Sequence, residues 1–178
     1  RKTILSNIVS RIVADKGDHS VCDTNAIVRI AQQDLTDDVR DLIIKYSDND
    51  DAIFFLGRLA WQGSMGNCLY PLLSIAIDPS RSIYPRIASV RAVSTVGTHE
   101  QLKSLWETIN QQSDTIPRRL LVELVEEAAA DNQIIGLLLS SIEKLAAYEK
   151  YETSGLDRSL HLFLDRFVAL TAQEREPL

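Results

Sequence analysis

The sequence predicts an all-α protein, an α-solenoid of about four to five antiparallel helix pairs stacked side by side. Three observations carry that expectation. Apolar residues recur at helical spacing along almost the whole chain. Turn formers are scarce, with 7 Gly and 5 Pro in 178 residues, whereas an all-β chain needs them at every reversal. Helix starts and stops also return at intervals of 32 to 34 residues, which is the spacing of helical-repeat arrays.

Taken in order, the elements read as follows. Ile4, Leu5, Ile8, Val9, Ile12 and Val13 form one helical stripe that stops at Lys16-Gly17. After a polar loop from Asp18 to Asp23, Thr24 or Asn25 caps a short helix carrying Ile27, Val28, Ile30 and Ala31. Thr36-Asp37-Asp38 opens the next, with Val39, Leu42, Ile43 and Tyr46 inward and acids against the positive end of the dipole. The acidic turn Asp48-Asn49-Asp50-Asp51 feeds an apolar helix holding Ile53, Phe54, Leu56, Leu59, Ala60 and Trp61. Gly63 to Gly66 breaks it, and Cys68, Leu69, Leu72, Leu73, Ile75 and Ala76 return before Asp78-Pro79. Pro71 would cost about 3 kcal/mol in a helix interior, so a late helix start or a bend is expected there.

Pro85 leads a helix with Ile87, Ala88, Val90, Ala92, Val93 and Val96 that ends at Gly97. Thr98 and Gln101 make a capping-box pattern ahead of the stripe Leu102, Leu105, Trp106 and Ile109. Ile116-Pro117 starts a helix with Leu120, Leu121, Leu124, Val125 and Ala128 inward and Glu123, Glu126 and Glu127 facing water. Asp131 or Asn132 begins a helix through Ile134, Ile135, Leu138, Leu139, Ile142, Leu145 and Ala146. The last helix holds Leu156, Leu160, Phe163, Leu164, Phe167 and Val168, and residues 172–178 read as a frayed tail. The expectation is a single helical-repeat domain over 1–178, a piece of a larger protein, since it starts at Arg1 without a signal-peptide pattern.

The repeat is visible as an offset. Pro85 and Pro117 are 32 residues apart, which sets Val90 on Val122 and Val93 on Val125. Gly63 and Gly97 are 34 apart, which sets Cys68 on Leu102, Leu72 on Trp106 and Ile75 on Ile109. An offset of 33 then sets Leu102, Trp106 and Ile109 on Ile135, Leu139 and Ile142, and Val28-Arg29 precedes Val90-Arg91 by 62. A pair of such short helices cannot bury its stripe alone, so neighbours must stack.

The segment IYPRIASVRAVSTVGTHEQLKSLWETI (Ile83 to Ile109) resembles HEAT repeats, through the Val90-Arg91 pair and the Gly97 turn. That resemblance implies a right-handed HEAT/ARM-like superhelix. LGRLAWQG (Leu56 to Gly63), AIDPSRSIYPRIASVRAV and SGLDRSLHLFLDRF (Ser154 to Phe167) are also similar to the helical region behind the NTPase core of large bacterial NACHT-type (STAND) proteins. If so, the chain is the sensing or regulatory arm of a signal-transduction ATPase.

Composition excludes more than it identifies. Net charge is −6 with a pI near 5.1, and no Lys/Arg-rich run is present, the cations clustering no more densely than Arg118-Arg119, which argues against a nucleic-acid partner. Two cysteines, Cys22 and Cys68, favour a reduced cytoplasmic setting over a disulfide scaffold. Leu59 to Ile77 is uncharged over 19 residues, but glycines, Asn67 and Pro71 interrupt it, so two buried helices and a turn are expected in place of a membrane span.

No phosphate-binding loop, nucleophile elbow or His-Glu-x-x-His motif occurs, and Gly63 to Gly66 reads as a turn. His19 and Cys22 flanked by Asp18 and Asp23 are short of a four-ligand zinc set, with His99 and His161 isolated. Asp48 to Asp51 lacks the Gly and distal Glu of a calcium loop. Glu123, Glu126, Glu127 and Asp131 read as a solvated face. Trp61 and Trp106 read as packing residues and Arg29 and Arg91 as ion-pair or capping residues. No catalytic, cofactor or metal residue is therefore assigned. The function expected is non-catalytic: a module binding a protein partner or neighbouring domains of its own chain, with dimerisation through exposed solenoid ends open to it. A HEAT-like enzyme such as a DNA glycosylase and a purely structural spacer are the alternatives.

Overall fold

The computed structural model describes residues 1–14, 24–147 and 153–173. Among these it forms ten α-helices and no strand: α1 (Lys2–Ala14), α2 (Thr24–Ile30), α3 (Thr36–Lys45), α4 (Asp50–Gln62), α5 (Leu69–Ile77), α6 (Ile83–Val96), α7 (His99–Gln111), α8 (Arg118–Glu127), α9 (Asn132–Glu143) and α10 (Leu156–Gln173). Short 3₁₀ turns, Gln33–Leu35 and Gly66–Cys68, lead directly into α3 and α5. The chain packs as two compact units, Arg1–Thr98 and His99–Leu178. None of the described helices is long and apolar enough to cross a membrane.

In the first unit α4 and α6 lie against each other at the centre. Asn49 caps α4, its side-chain oxygen accepting the Ala52 N–H at 2.8 Å, while Asp50 and Asp51 oppose the dipole in the first turn. Close approach depends on Gly57: a Cβ there would sit 3.0 Å from the Ala88 Cβ. Residues 85–90, Ala92 and Val93 of α6 are all buried, so this helix has almost no wet face. Arg86 is only 4% exposed because its Nε donates to the Ala76 carbonyl at 3.1 Å, covering an open carbonyl in the last turn of α5. Pro71 is the third residue of α5, where its missing N–H has no helical partner to lose. The late start expected from Pro71 is what the chain adopts. Ser64 takes φ +49° in the turn between α4 and α5, and Gln33 donates to the Ser64 carbonyl at 2.9 Å.

In the second unit α7 packs on α9 through a buried polar knot. Trp106 Nε1 donates to Ser141 Oγ at 2.7 Å, Ser141 Oγ lies 2.8 Å from Asn110 Oδ1, and Asn110 Nδ2 donates to the Leu137 carbonyl at 3.0 Å. Asp131 caps α9 by accepting the Gln133 and Ile134 N–H groups at 2.8 Å each. Ile116, just ahead of α8, exchanges backbone hydrogen bonds with Lys144 and Ala146. On the other side α10 packs on α8: Ser159 Oγ donates to Glu126 at 2.8 Å, and Arg166 covers the carbonyls of Val125 and Glu126 at 2.8 and 3.1 Å at the negative end of α8.

Burial recurs along the chain. The buried residues Leu5, Val39, Leu72, Trp106 and Leu138 are separated by 34, 33, 34 and 32 positions. On α4, α6 and α8, buried Leu59, Ala92 and Leu124 are separated by 33 and 32. Within each unit, five of the side-chain hydrogen bonds link residues 30 to 33 apart: Asn67 to Asp37, Arg81 to Asp50, Lys103 to Gln133, Ser141 to Asn110 and Ser159 to Glu126.

Several expectations are corrected. On α9 the buried positions are Ile134, Leu138 and Ser141, while Leu139 and Ile142 are 60% and 40% exposed, so the offset from α7 is 32 and not 33. The helix is apolar on both stripes, and the polar knot with Trp106 and Asn110 selects the one carrying Ser141. It ends at Glu143, before Leu145 and Ala146. Glu123 is buried instead of facing water, because α8 is covered on more than one side. Val28 is exposed where Val90 is fully buried, so those two Val-Arg pairs are not equivalent. Leu164 and Val168 on α10 are exposed, flanking a buried line of Leu156, Ser159 and Phe163. Residues 174–178 of the expected tail lie outside the described residues, and α10 itself runs to Gln173.

Candidate functional site

The N-terminal turns of α4 and α6 and the residues between α5 and α6 meet around an open hollow of about 260 Å³, lined by Asp50, Asp51, Phe54, Ser82, Tyr84 and Pro85. Helical spacing puts Phe54 one turn after Asp50 and Asp51, on the same side of α4. The Phe54 and Tyr84 rings are 5.7 Å apart and tilted by 54°, a favoured aromatic arrangement. Tyr84 is 52% exposed, so part of its ring faces water.

A second hollow of about 310 Å³ adjoins it through Asp50 and is lined by Asp48, Asp50, Asp78, Ser80 and Arg81. Its polar groups mostly satisfy one another. Asp50 accepts the Ser82 N–H at 2.8 Å and an Arg81 guanidinium N–H at 3.2 Å. Asp78 accepts from the Ser80 hydroxyl at 2.6 Å and the Ser80 N–H at 3.0 Å, and the hydroxyl contact holds its carboxyl below the ordinary carboxylate range. Arg81 also lies 3.2 Å from Asp78. Asp51 differs: among the described residues its carboxylate has no hydrogen bond or ion pair. Asp48, Asp50 and Asp78 thus line the second hollow with Arg81, and Asp50 and Asp51 line the first.

Further along the same two helices, arginines lie over aromatic rings. The Arg58 guanidinium is 5.5 Å from the Phe54 ring centre and the Arg91 guanidinium 4.9 Å from that of Trp61. Arg58 and Arg91 are 33 residues apart, both half-buried, on helices of matching burial. The sequence reading expected Trp61 in packing and Arg91 as an ion-pair or capping residue, and the structure lays the Arg91 guanidinium over the Trp61 ring.

The other residues weighed from sequence do not assemble into chemistry. Trp106 belongs to the knot with Ser141. Glu123 is buried, Glu126 holds Ser159 and Asp131 caps α9, so these acids do not converge as an acid–base pair. His99 begins α7 and His161 lies on α10, both exposed. His19 and Cys22 lie outside the described residues. Cys68 is fully buried with its Sγ 3.7 Å from the Thr36 carbonyl, and burial pushes its thiol up to about 12, the reverse of an activated nucleophile. Among the described residues no group of three or more His, Cys, Asp or Glu could hold a metal ion.

The Phe54–Tyr84–Asp51 hollow was not anticipated. Its signal was present in the offset of 33 that pairs Arg58 with Arg91 and so lays α4 beside α6. No family model, curated protein or solved structure matches this chain. In the second hollow the Ser80 hydroxyl donates to the Asp78 carboxylate, whereas the first hollow brings two rings and a carboxylate together. What it offers is an aromatic surface beside an uncompensated carboxylate, which suits recognition.

Proposed function

We propose that this chain is a non-catalytic helical-repeat module, a HEAT-like α-solenoid that binds a protein partner or neighbouring domains of its own chain. The observation that carries the reading is the one-period spacing of both burial and side-chain hydrogen bonds. Most long-range side-chain hydrogen bonds within each unit join residues 30 to 35 apart, while α10 reaches α8 across 40 and 41, and such spacing supports a stack in which each repeat touches its neighbours. Surfaces of such stacks serve as extended binding faces. The resemblance to the helical region of bacterial NACHT-type NTPases would make this a sensing or regulatory arm in the cytoplasm, with an NTPase core as one neighbour.

Charge weighs against the DNA-glycosylase alternative. Residues 1–98 carry 11 Lys and Arg against 11 Asp, and residues 99–178 carry 8 against 14 Asp and Glu. Neither half supplies the cationic surface that a phosphate backbone requires.

A photo-crosslinking amino acid placed singly at Tyr84, Tyr70, Gln62 and Thr95 of the full-length protein in its native cells tests the reading. Discrete protein adducts, inter- or intramolecular, are expected from the aromatic positions and not from all four alike. Absence of adducts at every position, together with salt-sensitive DNA binding, would overturn it.

A further inference from the structure

We propose that the hollow between the starts of α4 and α6 receives an arginine side chain from an extended basic segment of the protein partner, its guanidinium stacked on Tyr84 and paired with Asp51. The inference rests on the protein-binding reading above and names what that surface recognises.

Size comes first. A hollow of about 260 Å³ falls just below the range of about 300–1,000 Å³ typical of small-molecule sites. It suits one long side chain better than a cofactor. Its walls are mixed in kind: the Phe54 and Tyr84 rings and Pro85 form an apolar side, and Asp50 and Asp51 form an acidic edge. An apolar residue would leave the Asp51 carboxylate facing it unpaired, and an acidic one would meet two carboxylates. A cationic side chain with an aliphatic stem matches both walls.

Charge points the same way. Helix N-termini attract anions, and two helices start here, yet Asp50 and Asp51 already occupy the first turn of α4. Asp48 and Asp78 lie nearby, Arg81 lines the second hollow, Arg86 also acts on Asp78, and Arg58 lies over the Phe54 ring. Asp50 and Asp78 are engaged by Arg81, Ser80 and Ser82, whereas Asp51 is not.

Arginine fits better than lysine for a reason the molecule itself displays. On these same helices guanidinium groups lie over Phe54 and Trp61 at 5.5 and 4.9 Å. Tyr84 extends that line of rings by 5.7 Å from Phe54 and is half exposed. A planar guanidinium can stack on the ring and still present paired N–H donors to a carboxylate, which a compact ammonium cannot do.

The test uses the intact chain labelled with ¹⁵N and the probe peptide acetyl-Gly-Arg-Gly-amide, with lysine and citrulline versions as comparisons. Citrulline keeps the shape of arginine and removes its charge. The arginine peptide should give saturable shifts confined to the amides of Asp51, Phe54, Ser82 and Tyr84, with the lysine peptide weaker and the citrulline peptide silent. Asp51→Asn and Tyr84→Ala should each weaken binding about tenfold, with Tyr84→Leu as a second variant should the alanine disturb the spectrum. Shifts spread equally over Asp34, Asp37, Asp41 and Asp48, or unchanged by Tyr84→Ala, would overturn the proposal. So would equal binding of the citrulline peptide. Protein adducts at Tyr84 without any peptide shift would reject arginine as the occupant and leave the module reading intact.

Discussion

Trp106 is fully buried, and an indole N–H in that position must find an acceptor or forfeit its hydration without return. Ser141 supplies the acceptor at 2.7 Å and also contacts Asn110. Ser141→Ala removes little volume but leaves the Trp106 N–H and the Asn110 oxygen facing apolar groups. The expected loss is about 1–3 kcal/mol of unfolding free energy, read from urea titration, and an unchanged midpoint would show that the knot is ornamental. Cys68 gives a prediction in pH. Its folded-state thiol is pushed up to about 12 by burial, against about 8.5 in an unfolded chain. The unfolded form therefore releases its proton first, so the contribution is complete below about pH 8.5 and is lost as pH rises towards the folded value. Stability should fall less steeply above pH 8.5 in Cys68→Ala than in the parent. At pH 8, mass mapping of alkylated peptides should find Cys68 modified only as fast as the protein opens. The sequence placed both residues on buried apolar stripes but did not specify the contacts they make there. Trp106 was recognised as a packing residue from its stripe, but hydrophobic periodicity carries no information about which hydroxyl meets its N–H. Asp51, likewise, reads as a helix-start acid until Tyr84 is brought beside it by contact between α4 and α6.

Helix boundaries follow the local chemistry of the chain closely, since caps and prolines act over a few residues. Asn49, Asp131, Pro71 and Pro85 mark starts that the structure keeps, and the Gly63 to Gly66 break separates α4 from α5 as its composition implies. Asp131→Ala should remove about 1 kcal/mol from the second unit by freeing the two N–H groups it accepts, while Asp131→Asn, which keeps the acceptor, should remain near the parent by the same urea measurement. What periodicity could not fix is which of two apolar stripes turns inward. On α9 both qualify, and on α10 Leu164 and Val168 qualify as well as Phe163, so the choice is made by neighbours far along the chain. Burial on α4 and α6 shows the opposite case. There the close approach is written in one residue, Gly57, facing Ala88 at 3.0 Å from an added Cβ. Gly57→Leu must push the two helices apart and should cost about 1–3 kcal/mol or more. A variant as stable as the parent in thermal and urea melts would mean that α4 and α6 pack less tightly than described.

At the scale of the molecule, the chain's charge and its tryptophans are divided between the units. All six net negative charges fall on residues 99–178, the first 98 being balanced, so ionic strength should act chiefly on the second unit, where like charges repel. Trp61 belongs to the first unit and Trp106 to the second. Incorporating 5-fluorotryptophan therefore provides one ¹⁹F signal for each. In an array stabilised by neighbour contacts, damage is felt locally and fades with distance, and sites without shared partners add independently to within about 0.5 kcal/mol. Gly57→Leu should accordingly lower the urea midpoint of the Trp61 signal and leave that of Trp106 nearly in place, while Ser141→Ala should do the reverse. A globular bundle with one shared core would lose both signals together in each variant, because its packing admits no local failure. Two midpoints that move separately are thus expected of helices stacked by period, and coincident movement in both variants would rule that stacking out.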